Sequence, residues 1–584
     1  MKNIIFIILL FFLSTLYAQD PFNGPNKIID GDNNVSVGAA WADYDNDGDQ
    51  DLFFSNGSDG LAFENYLYRN NGDGTFTKIT NSPVVKDTSI SGGSAWGDFD
   101  NDGDLDLYVA RANQGLSGLP DKLYSNNGDG TFTDASAGDL TSTALPTATG
   151  GWADYDNDGY IDMVTSNVSN FGSPTNHKQY HNNQNGTFTS VSSNLTGGTS
   201  DLGGVAWCDY DNDGDMDVVM VAGSTSENTV LWTNTGTDFT STTLASGPGA
   251  KAASWGDYDN DGDFDLYITA YSQGSNNPDK NLFFRNDNGT LVQVTSGTIV
   301  NDADYSYGSA WGDYDNDGDL DLYVANDGDT LKCRLYINNG DGTFSSLQNS
   351  NIVDSVFYAR GCAWADYDND GDLDMVIARD GPNYLFKNLE SGNNWINIKL
   401  TGTDANKAAI GAVVKVKATI NGSAVWQMRQ VSSQTGYGGH DSFRLHFGLG
   451  DATLVDSVEI IWPGSGNVEY YTNLLTNSFY SFTEQTASAI KNETGVVKHF
   501  ELGQNYPNPF NPSTTIVYDV PKNSVVRIEV YNILGQKVAT PLNAPVTAGR
   551  HTLKFNASQL PAGIYLYRMS ASNFTQTRKM ILTK

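Results

Sequence analysis

The chain has 584 residues, with 33 Lys and Arg against 69 Asp and Glu and a formal charge of −36. That length exceeds one ordinary domain, and the charge argues against nucleic acid or an anionic membrane as partner. The acid is local: seven short loops hold 34 of the Asp residues, and elsewhere 33 basic residues face 35 acidic ones.

The N-terminus, "MKNIIFIILLFFLSTLYAQD", has one Lys, an apolar run from Ile4 to Leu13 and a plausible cleavage point at Ala18. The run is short for a bilayer span and fits a secretory signal peptide over 1–18. No later run is long enough for a membrane helix, so the mature chain is expected to be exported without a transmembrane segment. Three Cys are an odd number for an oxidising compartment. Cys208 and Cys362 replace small residues of the repeats and read as buried strand positions.

From residue 19 to 393 one pattern recurs seven times. Trp41, Trp96, Trp152, Trp207, Trp255, Trp311 and Trp364 each stand two residues before an acidic loop such as "DYDNDGDQDL", at spacings of 48 to 56 residues. A period near fifty signals a repeat architecture. Each period runs from a small-residue strand through the loop to an apolar strand, then a variable segment, then "LYSNNGDGTF". The Asn-Gly and Asp-Gly pairs there are hairpin signals. Four short strands, A to D, repeated seven times predict a seven-bladed β-propeller; a linear solenoid fits less well, because each period carries a complete antiparallel sheet.

Every loop keeps Asp at positions 1, 3, 5 and 9 and Gly at 6. The candidate metal residues, positions 1, 3, 5, 7 and 9 in each loop, are Asp43, Asp45, Asp47, Asp49 and Asp51; Asp98, Asp100, Asp102, Asp104 and Asp106; Asp154, Asp156, Asp158, Tyr160 and Asp162; Asp209, Asp211, Asp213, Asp215 and Asp217; Asp257, Asp259, Asp261, Asp263 and Asp265; Asp313, Asp315, Asp317, Asp319 and Asp321; and Asp366, Asp368, Asp370, Asp372 and Asp374. Hard oxygen donors at alternating positions with a Gly turn suit Ca²⁺. Tyr160 is tolerable at position 7 only if that residue offers its backbone carbonyl. About seven structural Ca²⁺ sites are therefore expected. An EF-hand would need a Glu at position 12 and a following helix; position 12 is Phe54, Val109, Thr165, Met220, Ile268, Val324 and Ile377. Acidic turns without a cation would repel severely.

These motifs resemble FG-GAP/VCBS repeats of calcium-bound β-propellers, including integrin α-subunit heads. The resemblance implies Ca²⁺ between strands A and B of each blade. Beyond them, "NWINIKLTGTDANKAAIGAVVKV" and "VDSVEIIWPGSG" alternate as strands. This span, 394–484, resembles the ASPIC/UnbV domain of cartilage acidic protein-like chains. Its His440 and His446 have no neighbouring Cys or second acidic cluster and read as structural. A polar linker, 485–498, leads to 499–584. There Asn508-Pro509-Phe510, Gly535, Pro561-x-Gly563-x-Tyr565 and the terminal Lys579 to Leu582 are similar to the type A C-terminal sorting domain of the Bacteroidetes type IX secretion system. That similarity implies an immunoglobulin-like β-sandwich, export across both membranes and contact with the secretion machinery.

No nucleophile, zinc-protease or P-loop motif appears, and the clustered carboxylates are assigned to calcium, so the chain is not expected to be an enzyme. The leading expectation is a secreted or cell-surface protein that binds glycans or proteins. A structural envelope component is the alternative, and a propeller enzyme acting on polysaccharide the more distant one. The uniform loops share one face and the variable B–C and D–A loops the other. Phe63, Phe171, Tyr271, Tyr305, Tyr307 and Tyr358, with Arg111 and Arg360, place the expected ligand on the latter.

Overall fold

The computed structural model describes residues 20–25, 34–485 and 500–583, apart from 59–60, 113–117, 168–175, 199–202, 224–226, 247–248, 272–278, 329–331, 355, 390–391, 507, 509, 511, 523, 547–548 and 573. The expected signal peptide, nearly all of the linker and Phe171 lie outside the described residues. The chain divides into two compact units, one reaching from the propeller through the ASPIC/UnbV-like region and one holding the C-terminal region.

The fold is all-β. Seven antiparallel sheets follow one another, and the innermost strand of each packs against those of its neighbours until the last meets the first. These strands A are Ser36–Ala42, Ile90–Gly97, Thr147–Ala153, Val205–Cys208, Ala250–Gly256, Ser306–Gly312 and Ala359–Ala365. They are rich in Gly, Ala and Ser, with one Trp each, because seven strands converge on a narrow channel. Each Trp indole lies between blades; six of the seven donate Nε1 to a carbonyl of the preceding blade at 3.1–3.4 Å. Strand B starts on the ninth loop residue, as Asp51–Ser58 does, and its apolar run is buried on both faces.

Six blades show four strands, but the seventh has three named ones, Ala359–Ala365, Asp374–Arg379 and Tyr384–Phe386. Its outer edge is completed by the N-terminal segment. Phe22 bridges Asn388, Asn23 N–H donates to the Lys387 carbonyl at 3.0 Å, and Leu389 N–H donates to the Pro21 carbonyl at 2.7 Å. The Phe22 ring sits against Tyr314 and Trp364, the place that Phe132 takes against Tyr44 and Trp96. The ring is thus closed by pairing the two ends of the repeat region.

The ASPIC/UnbV-like region forms two sheets, one of Asn394–Thr401, Leu445–Gly450 and Ser478–Thr483, the other of Val413–Ile420, Ser423–Gln430, Leu454–Ile461 and Val468–Leu475. Between Gln430 and Leu445 the chain leaves this sandwich and enters the propeller channel. Ser433 Oγ bonds the backbone of Trp152 on both sides (2.9 and 2.7 Å), and Gln434 Nε2 donates to Thr149 Oγ1 at 2.5 Å. Ala39 N–H donates to the Gly438 carbonyl at 2.8 Å, and Gly439–His440 pairs parallel to strand A of blade one. A Cβ on Gly439 would lie 2.4 Å from the Cys362 carbonyl, so only glycine lets this backbone pass. Tyr437, buried with Val37 and Ala252, reaches the far mouth of the channel.

The C-terminal unit packs a three-stranded sheet (Glu501–Tyr506, Ser513–Val520, Gly549–Asn556) on a four-stranded one (Lys537–Val546, Ser524–Asn532, Gly563–Ala571, Phe574–Leu582) around Leu502, Ile516, Val526, Tyr567 and Met580. The two packed sheets match the expected sandwich. Phe510 and Leu582 pair as a bridge, which ties the two end motifs of this unit together.

Closure through Phe22 gives a direct test. Phe22→Ala is expected to destabilise the propeller by about 3 kcal/mol, as for other buried Phe truncations, read from the urea midpoint. An unchanged midpoint would show that blade seven closes without this residue.

Candidate metal centres

Each acidic loop is a pair of interlocked turns. In five loops the position-1 carboxylate accepts the N–H groups of both positions 5 and 6, as Asp98 does from Asp102 (3.1 Å) and Gly103 (2.8 Å), and in the loops of Asp43 and Asp257 it accepts one of them. The position-5 carboxylate accepts the N–H of position 7, as Asp102 does from Asp104 at 3.0 Å. Position 4 is Asn in all seven copies and always left-handed, with φ of 56–59° from Asn46 to Asn369, a conformation that Asn tolerates better than most residues. These turns fold positions 1, 3, 5 and 9 inward. Oxygens of Asp43, Asp45 and Asp51 lie within 4.8 Å of one another, as do those of Asp98, Asp100 and Asp106, and of Asp209, Asp211 and Asp213.

The position-9 Asp belongs to both the loop and the sheet. Asp51 accepts Tyr44 N–H at 3.1 Å and Asn70 N–H at 2.7 Å, and the strand C asparagine makes the same bond in every blade. That asparagine also donates Nδ2 to the position-2 carbonyl of the preceding blade at 2.6–2.8 Å in all seven cases, Asn70 to Tyr367 among them.

Position 7 has a different duty. The position-4 Asn of one loop donates Nδ2 to the position-7 carboxylate of the next: Asn46 to Asp104, Asn157 to Asp215, Asn212 to Asp263, Asn260 to Asp319, Asn316 to Asp372 and Asn369 to Asp49, all at 2.7–3.0 Å. At the third loop, where Tyr160 stands, Asn101 uses the Gly159 carbonyl instead at 2.8 Å. A ring of seven links therefore closes blade on blade. Sequence reading passed over both asparagines, although their identity in all seven repeats was visible.

The ASPIC/UnbV-like sandwich sits on this ring. Lys399 Nζ is 3.1 Å from Asp43 Oδ2, Asn397 Nδ2 donates to Asp366 Oδ2 at 3.1 Å, and Arg444 donates to Asn369 Oδ1 and the Gly48 carbonyl, both at 2.6 Å. Arg429 is half-buried beside Asp313 and Asp257, and desolvation pulls its pKa below the ordinary value against their attraction. His446 Nε2 lies 2.5 Å from Asn316 Oδ1, while His440 lines the channel against Phe443. Burial lowers both histidines, to about 3 and about 4, so they are neutral packing groups as the sequence suggested.

Without a cation the clusters are electrostatically costly. Burial first, then neighbouring carboxylates, push Asp51, Asp217 and Asp265 at position 9 up to about 9, and Asp98, Asp154 and Asp257 at position 1 to about 7. Oδ1 of the position-3 residues Asp45, Asp211 and Asp368 is buried and accepts no hydrogen bond. A buried carboxylate oxygen without a donor is costly, and oxygen-only donors of this kind fit a hard divalent ion. In two blades a strand C side chain reaches the cluster. In blade seven Lys387 Nζ contacts Asp368 and lies 2.9 Å from Asp370 Oδ2; in blade three His181 Nδ1 lies 3.0 Å from Asp156 Oδ2.

On the opposite face, Tyr307 packs on Tyr437 and Tyr271 with centroids at 5.1 and 5.2 Å, and Lys251 Nζ lies 5.4–5.8 Å from the three rings. Arg360 is buried beside Asp327, and Arg111 is paired with Asp87 at 2.6 Å. Tyr307, Tyr271, Lys251 and Arg360 thus pack around Tyr437 at the far mouth of the channel, whereas Arg111 does not join them. Tyr358 is different: it is 39% exposed and held at φ 56°, a strained setting for a bulky residue.

The geometry defines a repeat propeller whose acidic loops form a ring capped by a second β domain. Family comparisons agree: the FG-GAP-like repeat matches residues 43–109, 111–165, 169–220, 270–324 and 313–377, ASPIC and UnbV matches 402–489, and the secretion system C-terminal sorting domain matches 504–583. The chain is an FG-GAP-repeat protein with an ASPIC/UnbV domain and a type IX sorting domain, which makes it a secreted or outer-surface protein. Among the described residues no helix is long and apolar enough to cross a membrane. No curated protein matches the chain. Among solved structures it is similar to the SapL1 lectin in complex with alpha methyl fucoside (12% identity, 55% of this chain and 97% of that one, TM-score 0.33) and to the Dos1 propeller (8%, 62% and 93%, 0.34). PorZ, a surface component of the type-IX secretion system of Porphyromonas gingivalis, is also similar (10%, 94% and 82%, 0.21). Scores this low carry nothing about ligand or activity.

The raised carboxyl pKa values fix the sign of a pH effect. Groups that titrate near 3.8 when unfolded and at about 7 to 9 when folded bind more protons in the folded state. Their contribution is full below about pH 4 and is lost as pH rises through the folded values. In chelator, Tm is therefore expected to fall from pH 5 to pH 9 by roughly 5 °C or more. A Tm that rises over this interval in chelator would contradict the electrostatics.

Proposed function

We propose that the loops are cation sites built for Ca²⁺, which is held through the carboxylates at positions 1, 3, 5 and 9 and the backbone carbonyl of position 7. The observation that carries this is the pair of buried position-3 oxygens, Asp45 Oδ1 and Asp211 Oδ1, which accept no hydrogen bond. A bound cation supplies the charge that the turns lack, and it ties strand A to strand B at the rim where neighbouring blades are linked. The position-7 side chain, already engaged with the preceding blade, is free of a ligand role.

The ion-stabilised propeller is, on this reading, a non-enzymatic recognition platform exported by type IX secretion, with a glycan or protein ligand. The loop face is covered by the ASPIC/UnbV domain and the channel is filled as far as Tyr437, which leaves the face of the variable loops for a partner. Tyr358, exposed and strained on that face, is the residue best suited to stacking on a sugar or packing into a protein surface. Tyr307 and Arg360 support that surface from beneath rather than forming it.

Removing calcium with EDTA is expected to lower Tm steeply. At a Kd of roughly 10⁻⁴–10⁻³ M, each site at tenfold excess adds about 1.4 kcal/mol. Asp45→Ala removes one site, whereas Tyr160→Asp leaves the cation affinity of its loop unchanged and gains a blade-to-blade acceptor for Asn101. Melting that ignores EDTA would refute the calcium reading, and a large affinity change at Tyr160 would refute the ligand set.

A glycan array or envelope extract probed with the full chain tests the second part. Tyr358→Ala is expected to weaken binding at least ~10-fold without changing calcium-dependent melting. Retention of full binding by that variant would move the ligand elsewhere.

A further inference from the structure

The seven loops are alike in sequence but not in what overhangs them. The residue before the strand C asparagine is Arg69, Ser125, His181, Thr233, Arg285, Ile337 and Lys387 in blades one to seven, and in blades three and seven it reaches the loop carboxylates. In blade three the overhanging group is an imidazole. His181 Nδ1 lies 3.0 Å from Asp156 Oδ2 and 3.4 Å from Asp162 Oδ1, and the three groups lie within 4.8 Å of one another. Tetrahedral bonds of ~2.0–2.1 Å place neighbouring ligand atoms about 3.3 Å apart, so these spacings suit a small ion.

Two further features separate loop three from the others. Asp162 is fully buried and its Oδ2 accepts nothing, whereas in the other six loops the corresponding oxygen accepts the position-2 N–H at 3.1–3.3 Å. Asp158, at position 5, stays near Asp154 and Asp156 but has one oxygen engaged by Gln184, whose Nε2 donates to its Oδ2 at 2.9 Å. The loop thus engages one of the oxygens a large hard ion would use and adds a nitrogen with a preference for borderline ions. In blade seven, Lys387 places its own ammonium against the position-3 and position-5 carboxylates, where a metal would otherwise sit.

We propose that this strand C side chain selects the occupant of the loop, so that loop three takes a zinc-class divalent ion through His181, Asp156 and Asp162, and loop seven takes the Lys387 ammonium in place of calcium. The proposal rests on the reading of the loops as cation sites. Ser125 is the natural neutral counterpart and supplies the test substitution.

The full chain, stripped with chelator, is dialysed against Zn²⁺ in millimolar Ca²⁺, and bound metals are counted by mass spectrometry. The expected result is about one zinc per chain in the parent, none in His181→Ser, and one additional calcium in Lys387→Ser. Cobalt(II) added to the parent chain is expected to give a visible band that zinc, but not calcium, displaces; this reads the site even where a substitution impairs folding. Zinc washed out of the parent by calcium, or kept in His181→Ser, overturns the loop-three assignment. An unchanged calcium count in Lys387→Ser overturns the loop-seven one. Calcium-dependent melting is recorded alongside. Melting that ignores calcium fells the underlying reading, whereas melting that responds to it while zinc is not retained fells the selection alone.

Discussion

Seven clusters of carboxylates face one rim of one ring, and the fold is organised around offsetting that charge. The position-9 Asp is drawn into the sheet by two backbone donors, the position-1 Asp is held by its own loop, and the position-7 Asp is handed to the preceding blade. Every hydrogen bond that orients a carboxylate also fixes a strand or a blade. The same residues that create the repulsion therefore build the ring, and a like-charged cluster becomes a joint once its remaining oxygens are met.

The ASPIC/UnbV domain contributes to this balance from above. Lys399 and Arg444 reach the loops of blade one, and Arg429 lies half-buried between those of blades five and six. A desolvated guanidinium would be unfavourable alone; beside buried carboxylates each charge lowers the cost of the other. The segment around Gly438 then fills the channel with backbone hydrogen bonds to the inner strands, where wide side chains could not pass. Propeller and cap thus share one interior, and loss of either would leave charged or polar groups without partners.

Such a design gives the two faces different burdens. One face is committed to charge balance and covered, so its sequence is uniform. The other is relieved of that role and carries loops of different length and composition, with strain at Tyr358 sustained by the closed ring beneath. The C-terminal sandwich serves export, which matches a protein whose working environment lies outside the cell.

Much of this was legible in the sequence, because repetition multiplies a weak local signal. One acidic turn says little, but seven copies at a fixed distance from Trp41, Trp96 and their equivalents define blades, strand order and the inward carboxylates. The structural reading of His440 and His446 followed as well, since nothing near them in sequence offered a metal partner, whereas their neutrality comes from burial. Tertiary structure alone decided which residues meet across the repeats. That Asn46 reaches Asp104, that Phe22 completes a blade nearly 370 residues later, and that Tyr437 ends in the channel of another domain depend on ring closure, which brings together residues that no local periodicity relates. Tyr307 and Arg360 show the same limit: their sequence suits a binding surface, but the inserted segment turns them into its support.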